Sequence, residues 1–308
     1  MDRKEEETAV TPVRERKDNH KNSRLWNICS LLFIVLAVAA AGILAVWAIR
    51  RHKDALAAEE LRNMRQSAEE MPVVELHPAT DTFVAPEGAA DRAGNDREAN
   101  EPSGILPEYR ELYACNPDMI GWLSIGDTKI DYPVMQTPED EEHYLHLDFY
   151  GEPNDNGCLI MDTDSVVGTG TAVNGYEDGT FPSTNLIIHG HTMRSGEMFG
   201  NLQDYEDPQY GKEHAILHFD SLYEKRDYEL IAVFFSRVYY ADEDVFKYYG
   251  FFQADTEEEF NSWYSNICAL RLYDTGVEAG FGDEFLTLSC CAYHVENGRF
   301  VVVARRIK

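Results

Sequence analysis

The chain has 308 residues, 44% of them apolar and 12% aromatic, which is enough for a sizeable core in one large domain or two small ones. Its formal net charge of −28 excludes a nucleic-acid binder, because neutralising phosphates takes clustered Lys and Arg. That acidity bears on solubility, not on fold. Six cysteines occur with no CxxC pair, so no structural zinc site is expected; no other metal and no cofactor is expected either. Cys29 falls in an apolar run, and the remaining five are an odd number, so at least one thiol stays outside any intramolecular disulfide.

In chain order, residues 1–24 are polar and mixed in charge and read as a cytoplasmic tail. Residues 25–49 contain no charge (LWNICSLLFIVLAVAAAGILAVWAI), with Trp26 and Trp47 near the two ends. As a helix this stretch spans about 37 Å, more than the roughly 30 Å of a bilayer core, and aromatic residues belong at the interfaces. It is too long for a cleavable signal peptide and reads as a single-pass transmembrane anchor. Arg14, Arg16, Lys17, Lys21 and Arg24 precede it, and Arg50, Arg51 and Lys53 follow it. That small excess favours a cytoplasmic N-terminus and an extracytoplasmic C-terminal domain.

Residues 50–104 read as a juxtamembrane helix followed by an acidic linker. Asp54 to Glu70 is rich in helix formers, and Pro72 to Gly104 is loaded with Pro, Ala, Gly and acids without a period. Residues 105–308 read as the folded domain. A short amphipathic helix and the break at Asn116-Pro117 lead to an apolar strand. The runs KIDYPVMQ, GCLIMDT, TNLIIHGH, AILHF, YELIAVFFSRVYY, FLTLSCCAY and RFVVVARRI follow. Gly, Asp, Asn and Pro clusters separate them, the pattern of a mainly β barrel or sandwich. One helix interrupts it over 256–270, with Thr256 as N-cap and Glu259 completing a capping box.

Three residues at strand ends carry candidate chemistry: His191, Cys291 and Arg299. A thiol nucleophile needs a histidine to relay its proton, and acyl transfer needs a donor at the developing oxyanion, which a guanidinium supplies. Eight positions separate Cys291 from Arg299, and Glu296-Asn297-Gly298 is a turn signal that would pair their strands. Taken singly, each has a plainer reading: a cysteine in an apolar strand is usually a buried thiol, and an arginine at a strand start is usually solvated. The arrangement is what lifts them.

The strings NLIIHGHTM and LTLSCCAYHVENGRFVVVARRI resemble the signature blocks of sortases, the surface transpeptidases of Gram-positive bacteria. Gly190-His191 matches the family's histidine block, Thr287-Leu288-Ser289-Cys290-Cys291 its TLxTC block, and Arg299 before Phe300-Val301-Val302-Val303 its arginine block. NPDMIGWLSIGDTKIDYPVMQ, HYLHLDFYG and GCLIMD also follow the class B order, so the resemblance covers roughly residues 107–307. A helix just before the cysteine strand fits class B, whereas the Asp-Pro-aromatic lid and second span of class C are missing from the pattern. Cys290 departs from the family's usual Thr and doubles the cysteine. Strand alternation turns neighbours to opposite faces, so only one of the two can face a site, and a vicinal disulfide would be strained.

The resemblance implies a closed sortase-type β-barrel of about eight strands with a few peripheral helices, preceded by one transmembrane helix. It implies a cysteine transpeptidase, an enzyme related to thiol proteases, that cleaves a C-terminal sorting motif (LPXTG- or NPXTN-like) at Thr. The acyl group would pass through a Cys291 thioester to an amine, with His191 as acid and base and Arg299 at the oxyanion. Leu145 and Ser289 match groove-lining positions; by strand alternation His189 shares the face of His191, where it is either a third substrate-binding residue lining the same cleft or an ordinary polar strand-end residue. The implied partners are sorting-motif-bearing surface proteins, a peptidoglycan precursor or cell-wall peptide amine, and the membrane through one helix. Two other readings stay open: a thiol hydrolase with the same site, and a non-catalytic module that binds peptide or cell wall. His214 and His218 have helical spacing, but AILHF reads as strand, and His294 falls in a turn, so neither suggests a metal pair.

Overall fold

The structure is a computed structural model that describes residues 18–69, 104–169 and 180–307, with side chains from Trp26 onward. The expected linker over 72–103 and most of the polar tail lie outside the described residues. The chain divides into two compact units, one up to Ala57 and one from Ala58 onward.

In the first unit, α1 (Asp18–Glu69) begins inside the segment read as a tail and continues through the apolar run. Leu31, Phe33, Leu36, Ile43, Leu44 and their neighbours are all exposed. A helix pairs its own backbone groups, so exposed apolar side chains along its length suit hydrocarbon and not water. Among the described residues it is the one helix long and apolar enough to be a candidate membrane span.

The last turns of α1, from Ala58, belong to the second unit. Leu61 is buried in a cluster with Tyr109 and Trp122. Arg62 Nε lies 3.2 Å from Asp131 Oδ2, and the Arg65 guanidinium stacks 4.8 Å from the Trp122 ring. Of the helical segment expected over 54–70, the turns around Leu61, Arg62 and Arg65 are therefore held against the rest of the second unit, in part by charge and in part by cation–π contact.

That domain is a closed barrel of eight strands: β1 (Met119–Ile125), β2 (Asp131–Met135), β3 (Leu159–Met161), β4 (Asn185–Gly190), β5 (Ile216–Ser221), β6 (Asp227–Arg237), β7 (Phe285–Cys291) and β8 (Gly298–Arg306). The order around the ring is β1-β2-β3-β4-β7-β8-β6-β5. Each apolar run in the sequence supplies one strand. Pairs β2–β3 and β4–β7 are parallel and the others antiparallel. Helices α2 (Pro107–Cys115), α3 (Pro208–Glu213) and α4 (Glu257–Leu270) flank the ring.

Period-two alternation divides each strand between two environments. Leu186 and Ile188 of β4, Leu286, Leu288 and Cys290 of β7, and Phe300 and Val302 of β8 fill the barrel. Phe285, Val301 and Val303 point outward and are covered by Phe260, Trp263 and Ile267 of α4. Full burial of side chains of that size stabilises by about 1.5–3 kcal/mol each. Thr256 and Glu259 close the expected capping box at the start of α4, so the cover begins at a fixed place. At the far edge of β4–β7–β8, Gly190, Cys291 and Arg299 are only partly buried.

Candidate active site

β7 lies between β4 and β8, and its register with each decides what meets at that edge. Against β8, Cys291 stands directly opposite Arg299. Against β4, Ser289 pairs with His189 and Cys290 with Gly190, where the ladder ends, and His191 is the next residue along the chain. Cys290 is 2% exposed inside the barrel, and burial pushes its thiol up to about 12. Cys291, on the opposite face, is partly exposed. All six cysteines are free, so the adjacent pair is not bridged.

The β7–β8 turn sets the Cys291–Arg299 pairing. Ala292 N–H donates to Gly298 O at 2.9 Å, Gly298 N–H donates to Val295 O at 3.1 Å, and Asn297 takes a left-handed φ of 55°. A Cβ on Gly298 would collide with the Ala292 carbonyl, so the tight return needs glycine there. Gly190 is constrained in the same way: a Cβ would lie 2.6 Å from Leu159 Cδ2 and from Phe199 Cδ2.

Local hydrogen bonds fix the rest. The Cys291 carbonyl accepts from Thr192 Oγ1 at 2.6 Å and from Gln203 Nε2 at 3.3 Å. His191 Nε2 lies 2.8 Å from the Leu145 carbonyl, and the His146 ring stacks on it at 5.6 Å and 19°. A carbonyl can only accept, so Nε2 carries a proton and Nδ1 is the nitrogen left to exchange one. Leu145 belongs to a 3₁₀ turn, His143–His146. Arg299 Nη1 donates to its neighbour Gly298 O at 3.1 Å and is half-buried. A thiol, an imidazole and a guanidinium thus share one edge, the set needed for nucleophilic acyl transfer with a charged oxyanion donor.

The three remaining expected residues behave differently from one another. Leu145 meets His191 through its backbone. Ser289 is 1% exposed, with its hydroxyl 2.7 Å from that of Tyr248, so it forms a floor under the edge. His189 turns its Nε2 toward Asp162 Oδ2 at 3.2 Å and Glu141 Oε1 at 3.6 Å. His218 lies on β5, as the run AILHF suggested, and pairs with Asp227, while His294 is exposed in the β7–β8 turn. Thr192, Gln203, His146 and Tyr248 were not singled out in the sequence. Only Thr192 carried a signal, as the residue after His191.

No family model matches the chain. Curated relatives do: Sortase B of Listeria monocytogenes is 28% identical over 209 residues, covering 66% of this chain and 75% of that protein. Sortase B of Staphylococcus aureus is 26% identical over 206 residues, covering 66% of this chain and 76% of that protein. Among solved structures, sortase B from Bacillus anthracis aligns with a TM-score of 0.60 at 24% identity, over 84% of this chain and 99% of that one. A Staphylococcus aureus sortase B–substrate complex aligns with a TM-score of 0.56, over 67% of this chain and 87% of that one. The chain is thus similar to class B sortases in sequence and in fold. The sortase barrel, with its N-terminal apolar helix, is the fold expected from the sequence. Kinship with class B sortases supports a sortase-type transpeptidase.

Proposed function

We propose that the protein is a membrane-anchored cysteine transpeptidase in which Cys291 is the nucleophile, His191 the proton carrier and Arg299 the oxyanion donor. The observation that supports this reading is the register, in which Cys291 pairs with Arg299 and Cys290 with Gly190, the residue before His191. The Cys291 thiolate attacks the Thr carbonyl carbon of a sorting motif, forming a C–S bond while Arg299 balances charge on the oxygen. Collapse breaks the C–N bond, and His191 gives its proton to the departing amine. A cell-wall peptide amine then attacks the thioester, His191 takes the amine proton, and the C–S bond breaks to return the thiolate. Leu145 orients His191 through its carbonyl, and Ser289 with Tyr248 forms the floor beneath the acyl chain.

On this reading residues 1–24 are cytoplasmic, residues 25–49 cross the membrane and residues 50–104 form the juxtamembrane helix and linker. Residues 105–308 form the catalytic domain outside the membrane, with the last turns of α1 packed on it. The test uses the full chain in detergent with LPXTG- and NPXTN-like peptides and a peptide amine, followed by mass spectrometry. A peptide-sized thioester on Cys291 and an amine-dependent ligated product are expected. Ligation by a Cys291→Ala variant would overturn the assignment, and a product formed only with water would make the protein a thiol hydrolase.

A further inference from the structure

His189 was expected to line the substrate cleft, and no metal was expected anywhere. The structure turns the ring of His189 between two carboxylates from separate parts of the chain. Asp162 follows β3, and Glu141 lies in the connection that leads from β2 to the 3₁₀ turn bearing Leu145. One oxygen from each and Nε2 of His189 all lie within 4.8 Å of one another. Asp162 is 8% exposed, and its Oδ1 already accepts the Asp164 N–H at 3.0 Å, which leaves Oδ2 directed at the cluster.

Hydrogen bonding by the imidazole does not satisfy this group. One ring nitrogen donates one proton, so it serves Asp162 or Glu141 but not both. Among the described residues, no lysine or arginine pairs with either acid, and Asp164 adds a further negative charge nearby. A cation held between the two carboxylates and the ring nitrogen would engage all three at once. The two distances from His189 Nε2, 3.2 and 3.6 Å, bracket the roughly 3.3 Å between neighbouring ligand atoms on a tetrahedral ion with bonds of about 2.0–2.1 Å.

We propose that Glu141, Asp162 and His189 form a binding site for a divalent first-row transition ion, zinc foremost, tying the connection after β2 to the β3–β4 edge. One imidazole and two carboxylates suit zinc or cobalt better than calcium or magnesium, which take oxygen ligands. Three protein ligands leave a fourth position for water. The ion would also steady the turn that carries Leu145 and His146 beside His191. The site does not depend on the transpeptidase reading, since its ligands are not the residues proposed to react.

The experiment is titration of the chelator-treated full chain in detergent with zinc chloride by calorimetry, and with cobalt chloride by absorption. One ion per chain is expected, with cobalt d–d bands and no sulfur charge-transfer band. Glu141→Gln keeps the shape of a half-exposed side chain and should leave the fold intact while weakening zinc binding by at least about tenfold. Asp162→Asn and His189→Ala should do the same or more, and Cys291→Ala should leave binding unchanged. Absence of zinc binding would overturn the proposal, and so would affinity indifferent to Glu141→Gln and His189→Ala. A cobalt spectrum dominated by sulfur and lost in Cys291→Ala would place the ion on the nucleophile instead and would equally overturn it.

Discussion

Cys290 and Cys291 are joined by one peptide bond and occupy opposite worlds. The first points into the barrel among Leu288, Phe300 and Val302, where burial disfavours its thiolate. The second lies on the opposite face at the end of the strand, partly exposed and facing Arg299 across the ladder. Chemical identity therefore says nothing about which thiol can react. The pleat decides, because it turns adjacent side chains to opposite faces, and the barrel makes one of those faces dry.

The largest test of this contrast is Cys291→Ala, for which we expect the acyl-transfer rate with peptide and amine to fall by about 10⁴-fold or more, as when a nucleophile acting within a unit is removed. Next comes Arg299→Ala, expected to cost about 10²–10³-fold in kcat, the scale of losing one oxyanion donor, as read by steady-state kinetics. Gly298→Ala attacks the pairing itself by forcing a methyl against the Ala292 carbonyl. Denaturant unfolding should show a loss of about 1–3 kcal/mol, with turnover reduced alongside it. Cys290→Ala, by contrast, should cost only about 1–2 kcal/mol for the buried sulfur while leaving kcat/KM within about twofold.

The same contrast is readable without mutation. A thiol pushed up to about 12 stays protonated at pH 8, so Cys290 and the similarly buried Cys158 should resist iodoacetamide in the folded protein. Cys291 should be alkylated ahead of both, as located by peptide mapping. Labelling of Cys290 at a comparable rate would place the wrong thiol at the surface.

Legibility in the sequence followed how far apart the interacting residues are. The strands were visible because alternation is local, and so were the capping box at Thr256 and Glu259 and the turn at Asn297-Gly298. The Cys291–Arg299 pairing was within reach for the same reason, since one short turn sets it. The parallel alignment of β4 with β7 joins residues about a hundred positions apart and has no local signature. Only the resemblance to sortases anticipated that His191 would arrive there. Gln203, which holds the Cys291 carbonyl, and Tyr248, which covers Ser289, come from distant segments and carry no pattern of their own. His189 was read as a cleft residue because strand alternation places it on the face of His191. Its engagement by Asp162 and Glu141 depends on β3 lying next to β4.

By itself the sequence determined the apolar span, the eight strand segments and the helix before the cysteine strand, because hydrophobic period, caps and turns are written in neighbouring residues. Tertiary structure alone decided the ring order, which cysteine is dry, what holds His191 in place and which acids meet His189. Those outcomes depend on closure of the barrel, which brings distant strands into register and separates one face from water.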